Sequence, residues 1–249
     1  MVRIVLLLFA GSIVSAVAAD APALPPTQRF KLFLLVGQSN MAGRGKVEEQ
    51  DKRPHSRVLA LSKTDAWVPA VDPIHFDKSI AGVGLGTTFG KLAAEANPGD
   101  TIGLIPCAVG GTSIDQWKKG GKLYTEAVRR ARLAMEKGTL AGILWHQGES
   151  DAANPADYAA KAQKFFADLR AELNAEKVPL VIGTLGDFQG KYGVINPIIQ
   201  KLPESVPMCA CVSADGLNHG GDKLHFDSAS LRELGTRYFA KWQSLSRGK

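Results

Sequence analysis

The chain has 249 residues, 45% hydrophobic and 22% charged, the composition of an ordinary globular protein. Its formal net charge of +6 comes from 30 lysines and arginines scattered among 24 acids. With no basic stripe interleaved with aromatics, nucleic-acid binding is not indicated, and no Cys/His cluster has metal-ligand spacing.

Arg3 followed by an apolar core from Ile4 to Val17 reads as the start of an export signal. Ala16-Val17-Ala18 fits the small-x-small cleavage rule, with Ala19 a near-equal alternative, so residues 1–19 are expected to be a cleavable signal peptide. That core is too short for a comfortable membrane span and no later segment is long and apolar enough, so the expectation is a secreted or periplasmic protein without stable membrane insertion. Cys209 and Cys211 are too close to pair readily, and an odd cysteine count leaves a free thiol. Cys107, Cys209 and Cys211 all sit in apolar runs and read as small buried hydrophobes.

From Ala19 to Gln28, three prolines indicate an extended lead-in. Phe33-Leu34-Leu35-Val36 is a buried strand; it stops at Gly37 and delivers Ser39 to the carboxyl edge of a sheet, where open α/β folds bind ligands. The spacing excludes a P-loop, since five residues separate Gly37 from Gly43 and Arg44 follows. It also excludes the nucleophile elbow of α/β-hydrolases, since Met41 stands where the second glycine belongs. Two readings of Gly37-Gln38-Ser39-Asn40 remain: a nucleophile loop, or a polar turn capping a helix.

Lys46 to Pro54 is a charged, exposed loop, and Arg57 to Leu61 a short extra strand. Ser62 to Leu85 has no clear periodicity, and irregular excursions of that length are usually functional rims or lids. Gly82-Val83-Gly84-Leu85-Gly86 lacks the preceding strand and the glycine spacing of a dinucleotide loop. A helix opens at Gly86, with Phe89, Leu92, Ala93 and Ala96 on one face, and stops at Asn97-Pro98-Gly99. Thr101 to Cys107 is a strand. Lys122 to Lys137 is a helix ended by Gly138, and Ala141 to Trp145 is another strand. Asn154-Pro155 starts a helix carrying Tyr158, Ala162, Phe165, Phe166, Leu169 and Leu173. Val178 to Leu185 is a strand, a short helix lies around Pro197, and Pro207 to Val212 is the last strand. Leu231, Leu234, Tyr238, Trp242 and Leu245 line a closing helix. Strands of this length alternating with helices predict a parallel sheet covered on both faces. No linker or repeat divides residues 20–249, which are expected to form one domain.

Four polar loops follow strand ends: Gly37-Gln38-Ser39-Asn40, Gly110-Gly111-Thr112, His146-Gln147-Gly148-Glu149 and Asp222-Lys223-Leu224-His225. In a parallel sheet those ends share an edge, and together the loops hold what acyl transfer needs. Asp222 and His225, three apart, fall on one side of a helical turn. His225 would then deprotonate Ser39 while Asp222 fixes its tautomer; the same pair also suits a surface turn with a cap. Gly111 offers an unobstructed backbone N–H to an oxyanion, the N–H of Ser39 another, and the Gln147 amide a side-chain donor. Gly111 also suits a plain turn, and Gln147 a satisfied polar position. Glu149 either caps the following turn or braces the histidine.

These motifs resemble the SGNH (GDSL-like) hydrolases, and more narrowly the sialate O-acetylesterase group, carbohydrate esterase family six, which includes acetylxylan esterases. Gly37-Gln38-Ser39-Asn40-Met41-Ala42-Gly43 is similar to the group's first block, Gly110-Gly111-Thr112-Ser113-Ile114 to its second, Trp145-His146-Gln147-Gly148-Glu149-Ser150 to its third and Asp222-Lys223-Leu224-His225 to its last. The resemblance runs from Lys31 to Trp242. It implies a flavodoxin-like three-layer α/β/α sandwich with a central parallel sheet and no metal or organic cofactor. It implies Ser39 as nucleophile, His225 as base and Asp222 as its partner, with Ser39, Gly111 and Gln147 as oxyanion donors. Gln147 stands where the wider superfamily has asparagine and Gln38 where it has aspartate. Gln38, Asn40, His146 and Glu149 are expected to support the site from behind. His219, a competing base, lacks an acid three residues before it. The expected activity is a serine esterase acting on an acetylated carbohydrate. The alternatives are a non-catalytic carbohydrate-binding protein on the same fold, or an esterase for lipid or longer acyl chains.

Overall fold

The computed structural model describes residues 22–247; the expected signal peptide lies outside the described residues. β1 (Phe30–Gly37) alternates its side chains between two apolar layers, sending Phe30, Leu32, Leu34 and Val36 into one and Phe33 and Leu35 into the other. A strand apolar on both faces has to be covered on both. The remaining strands are β2 (Val58–Leu61), β3 (Trp67–Pro69), β4 (Thr101–Pro106), β5 (Thr139–His146), β6 (Leu180–Gly183) and β7 (Cys209–Val212). They form one seven-stranded sheet in the order β3-β2-β4-β1-β5-β6-β7, parallel throughout except for the β2–β3 pair. Without that pair, which sits on one edge, the other five strands in chain order lie as 2-1-3-4-5, the flavodoxin-like arrangement. The switch point of that order falls between β1 and β5.

The helices are α1 (Ser39–Ala42), α2 (Leu85–Ala96), α3 (Lys122–Met135), α4 (Tyr158–Glu172), α5 (Ile195–Lys201) and α6 (Ser228–Arg247). α3, α4 and α5 cover the face that receives Phe30 and Leu34, where Trp117, Trp145 and Phe165 pack edge to face or tilted. On the opposite face α2 and α6 enclose Phe33, which meets Phe89 and Trp242 edge-on. This is the expected three-layer α/β/α sandwich. Among the described residues no helix is long and apolar enough to cross a membrane. Cys107, Cys209 and Cys211 are free thiols, and burial pushes Cys107 and Cys209 up to about 12 and Cys211 to about 11.

Three local expectations differ from the structure. The excursion after Leu61 begins with β3, too short to carry a period-2 signal, paired antiparallel with β2 through Leu61 and Trp67. α4 starts at Tyr158 rather than at Asn154-Pro155, because the Asn154 and Tyr158 N–H groups close successive turns onto Asp151 and Pro155. Asp222 and His225 lie in an irregular loop before α6 and not on a helical turn.

Asp72 is buried at the start of α2, where Thr87 Oγ1 donates to its Oδ1 at 2.9 Å. Burial outweighs that hydrogen bond and raises its carboxyl from 3.8 to about 7. The folded protein thus keeps a proton that the unfolded chain releases near 3.8. Stability contributed by the protonated form falls as pH rises through that window and is lost above about 7. Asp72→Asn is expected to flatten the decline in Tm between pH 4 and 8 by an amount worth at most ~4 kcal/mol. Calorimetry of both proteins across that range checks it; parallel Tm–pH curves would refute it.

Candidate active site

At the end of β1 the backbone approaches β5 so closely that a Cβ on Gly37, whose φ is +135°, would run into the His146 carbonyl. Gln38 N–H then donates to that same carbonyl at 2.9 Å. α1 follows as a single turn in which Met41 and Ala42 N–H close onto the Gln38 carbonyl. Met41 and Ala42 are buried in the α2/α6 layer, so the turn is held from below. Ser39, its first residue, is 6% exposed at the carboxyl edge of the sheet.

The loop after β7 brings His225 onto this serine. His225 Nε2 lies 3.0 Å from Ser39 Oγ, and its Nδ1 lies 2.6 Å from Asp222 Oδ2. The other oxygen of Asp222 accepts the Leu224 and His225 N–H groups at 2.9 and 2.8 Å. This Asx-type turn, with Lys223 at φ +59°, brings together the two side chains that a helical turn was expected to join. Burial alone would raise the Asp222 carboxyl, but the two N–H groups and His225 outweigh it and hold the carboxyl below its usual range. Asn40 grips the same loop on both sides of His225, donating from Nδ2 to the Leu224 carbonyl (3.3 Å) and accepting the Phe226 N–H on Oδ1 (3.2 Å). Glu149 Oε1 accepts from the same Nδ2 at 2.6 Å and so fixes the amide's orientation. Burial raises the Glu149 carboxyl, against the hydrogen bond from Asn40.

The loop after β4 supplies the facing wall. Cys107 and Val109 N–H extend the ladder onto the Leu35 and Gly37 carbonyls, carrying Gly110 alongside Ser39. Gly110 N–H donates to Asp77 Oδ2 at 2.8 Å, and Arg44 pairs with the same carboxylate at 2.6 Å, both side chains almost completely buried. Burial opposes ionisation of Asp77, but Arg44 and the Gly110 N–H more than offset it. The next residue, Gly111, has φ +81°, a conformation that favours glycine. Neither its N–H nor that of Ser39 has an acceptor among the described residues. The sequence did not single out Arg44 or Asp77. Arg44 follows the first motif directly, but Asp77 lies in the unpatterned excursion, where no periodicity marks it.

Gln147 lies deeper. It is completely buried, and its Nε2 faces the Thr112 carbonyl (2.9 Å), Asp151 Oδ2 (2.5 Å) and Gln38 Oε1 (3.2 Å). Asp151 also accepts the Ile114 N–H, tying the loops after β4 and β5 together. His146, its ring buried against Phe226 and Tyr238, has Nδ1 3.0 Å from the Tyr238 hydroxyl, and burial lowers it to about 3, so its ring is neutral. His219 turns its Nδ1 to the Gly221 N–H of its own loop. A cleft of about 280 Å3 opens over Ser39, walled by Gln38, Arg44, Lys78, Gly111, Tyr192 and Leu224 among others. Gln147 is not one of its walls.

Residues 29–244 match the model of the family described as carbohydrate esterase, sialic acid-specific acetylesterase. The chain belongs to this family. As a member of these carbohydrate esterases it is a carboxylic ester hydrolase. It is 32% identical over 235 residues to a probable carbohydrate esterase of Arabidopsis thaliana, covering 85% of this chain and 88% of that one. A solved Arabidopsis thaliana structure superposes with a TM-score of 0.78 at 29% identity, over 88% of this chain and 99% of the other. A carbohydrate acetylesterase from Xanthomonas citri gives a TM-score of 0.66 at 16% identity, over 89% of this chain and 57% of that one, a likeness of fold.

Asn40 joins the turn that carries Ser39 to the loop that carries His225, so Asn40→Ala releases the loop without touching either side chain. In this carbohydrate esterase the expected result is a loss of ~10–100-fold in kcat from misalignment, with KM little changed. Steady-state hydrolysis of a chromogenic acetate checks it, and an undiminished kcat would show that the loop holds itself in place.

Proposed function

We propose that the protein is a serine esterase that removes acetyl groups from carbohydrate hydroxyls through an acetyl-enzyme on Ser39. The observation that carries this reading is the unbroken chain from Ser39 Oγ to His225 Nε2 and from His225 Nδ1 to Asp222, set in a cleft at the switch point of the sheet. Ser39 Oγ attacks the acetyl carbonyl and gives its proton to His225 Nε2, while the Nδ1 proton stays hydrogen-bonded to the Asp222 carboxylate. The Ser39 and Gly111 N–H groups receive the oxyanion. When that intermediate collapses, its carbon–oxygen bond to the sugar breaks and His225 returns the proton to the leaving sugar oxygen. Water, deprotonated by the same nitrogen, then attacks the acetyl-enzyme, releasing acetate and restoring Ser39.

Membership of the carbohydrate esterase family supports an acetylated carbohydrate as substrate, and the small cleft supports a short acyl group. Export to a secreted or periplasmic location is part of the proposal and rests on residues 1–19 as a cleavable signal; a protein retained in the cytoplasm would count against export, and an exported protein still beginning at Met1 against cleavage.

Ser39→Ala is expected to abolish turnover of acetate esters and the transient mass gain of one acetyl group that rapid quenching detects in the parent enzyme. Retention of either by the variant would refute the nucleophile. Across aryl esters from acetate to octanoate, kcat/KM is expected to fall steeply; a maximum at octanoate would assign the cleft to longer acyl chains.

A further inference from the structure

The proposed mechanism leaves open which side chain completes the oxyanion site, and the two glutamines there are not equivalent. The amide of Gln147 has two hydrogens. Its Nε2 has three acceptors within 3.2 Å, all inside the protein, and its side chain does not reach the cleft. Turning that amide over would set its oxygen against the Thr112 carbonyl and the Asp151 carboxyl, replacing attraction with repulsion.

Gln38 has the opposite disposition. Its Oε1 points inward at three donors, Gln147 Nε2 at 3.2 Å, Ser150 N–H at 3.4 Å and Gly148 N–H at 3.5 Å, which fixes the orientation of the amide. The residue is 3% exposed and lines the cleft beside Ser39. Its Nε2 has no protein partner among the described residues, nor is it sealed from solvent as the orphaned Gln147 Oε1 is. An amide locked by its oxygen, with its nitrogen left free in a wall of the cleft, is a preorganised donor awaiting an acceptor.

We infer that Gln38, rather than Gln147, supplies the side-chain hydrogen bond to the oxyanion, and that Gln147 is a positioning residue that holds the Gln38 amide oxygen and the Thr112 loop. This rests on the acetyl-enzyme mechanism proposed above. In the tetrahedral state, Gln38 Nε2–H joins the N–H groups of Ser39 and Gly111 around the developing charge.

Gln38→Glu preserves shape and the inward oxygen while removing the donor. It is expected to lower kcat by ~10²–10³-fold with KM within a few-fold of the parent. Gln147→Met is expected to lower Tm and cost less in kcat. Ser39→Ala separates the two levels of the argument: if it retains activity the mechanism fails, whereas if it is dead and Gln38→Glu keeps its kcat only the present inference fails. A Gln147→Met enzyme with native Tm and a loss in kcat as large as that of Gln38→Glu would also overturn it. Should Gln38→Glu not fold, the parent protein decides. In a crystal structure of its Ser39 adduct with an alkyl phosphonate, the oxyanion-mimicking oxygen is expected within ~3.1 Å of Gln38 Nε2 and out of reach of Gln147 Nε2; the reverse arrangement refutes the inference.

Discussion

The site depends on how β1 and β5 end. Their parallel register pairs Gly37 with His146, and with no side chain at Gly37 the two backbones close to a separation that no other residue allows. Everything polar that follows either strand therefore emerges in one small volume. Ser39 stands two residues past that closure on one side and Gln147 one residue past it on the other. Because the chain order of the strands reverses direction here, the β4 loop can enter from the far side of β1 without competing for space. The fold decides which loops meet before any side chain is chosen.

What the side chains add is a set of buried polar ties that make the loops rigid. Arg44 with Asp77, Glu149 with Asn40, and Asp151 with the Ile114 N–H each link segments far apart in sequence. Burying such groups is costly unless each finds partners, and most do: Asp77 accepts from Arg44 and from Gly110, Asp151 from Gln147 and from Ile114. Where the carboxyls differ, the cause is visible. Asp77 sits against a guanidinium and stays ionised, whereas Glu149 has the neutral Asn40 amide and backbone N–H groups but no cation beside it, and burial pushes it up. The wall that receives Gly110 is thus held by charge, and the Asn40 joint by a carboxyl biased toward neutrality.

How much of this could be read from the sequence follows from how local each signal is. Strands β1, β4 and β5 and the long helices announce themselves by apolar runs and period, and the two-face alternation of Phe30 to Val36 is enough to predict a sheet covered on both sides. Ser39, Gly111, Asp222 and His225 were legible because each lies in a compact polar motif directly after a strand or before a helix. Their union was legible only through the argument that parallel strand ends share an edge. The Asp222–His225 turn was right in outcome and wrong in cause, since spacing by three suits an Asx turn as well as a helical one. Asp77 was invisible: its importance comes from a contact with Arg44 and Gly110 across 33 residues of sequence. The separate places of Gln38 and Gln147 were equally hidden, because identical side chains differ here only in the acceptors around them.

The two halves of the Ser39–His225 contact are held very differently. Ser39 rides on a turn whose neighbours Asn40, Met41 and Ala42 are buried, whereas Asp222 is half exposed and its loop is closed only by an isolated bridge between His219 and Phe226. A side chain on such a loop would wander beyond hydrogen-bonding reach of Ser39 unless something on the rigid side reached across. Asn40 does that in both senses, accepting one N–H and donating to one carbonyl on either side of His225. The position after Ser39 therefore calls for an amide with one donor and one acceptor end, a requirement that an ionised aspartate, which only accepts, meets only in part. An exposed loop is compatible with a fixed Ser39–His225 contact because the serine's own neighbour carries the tether.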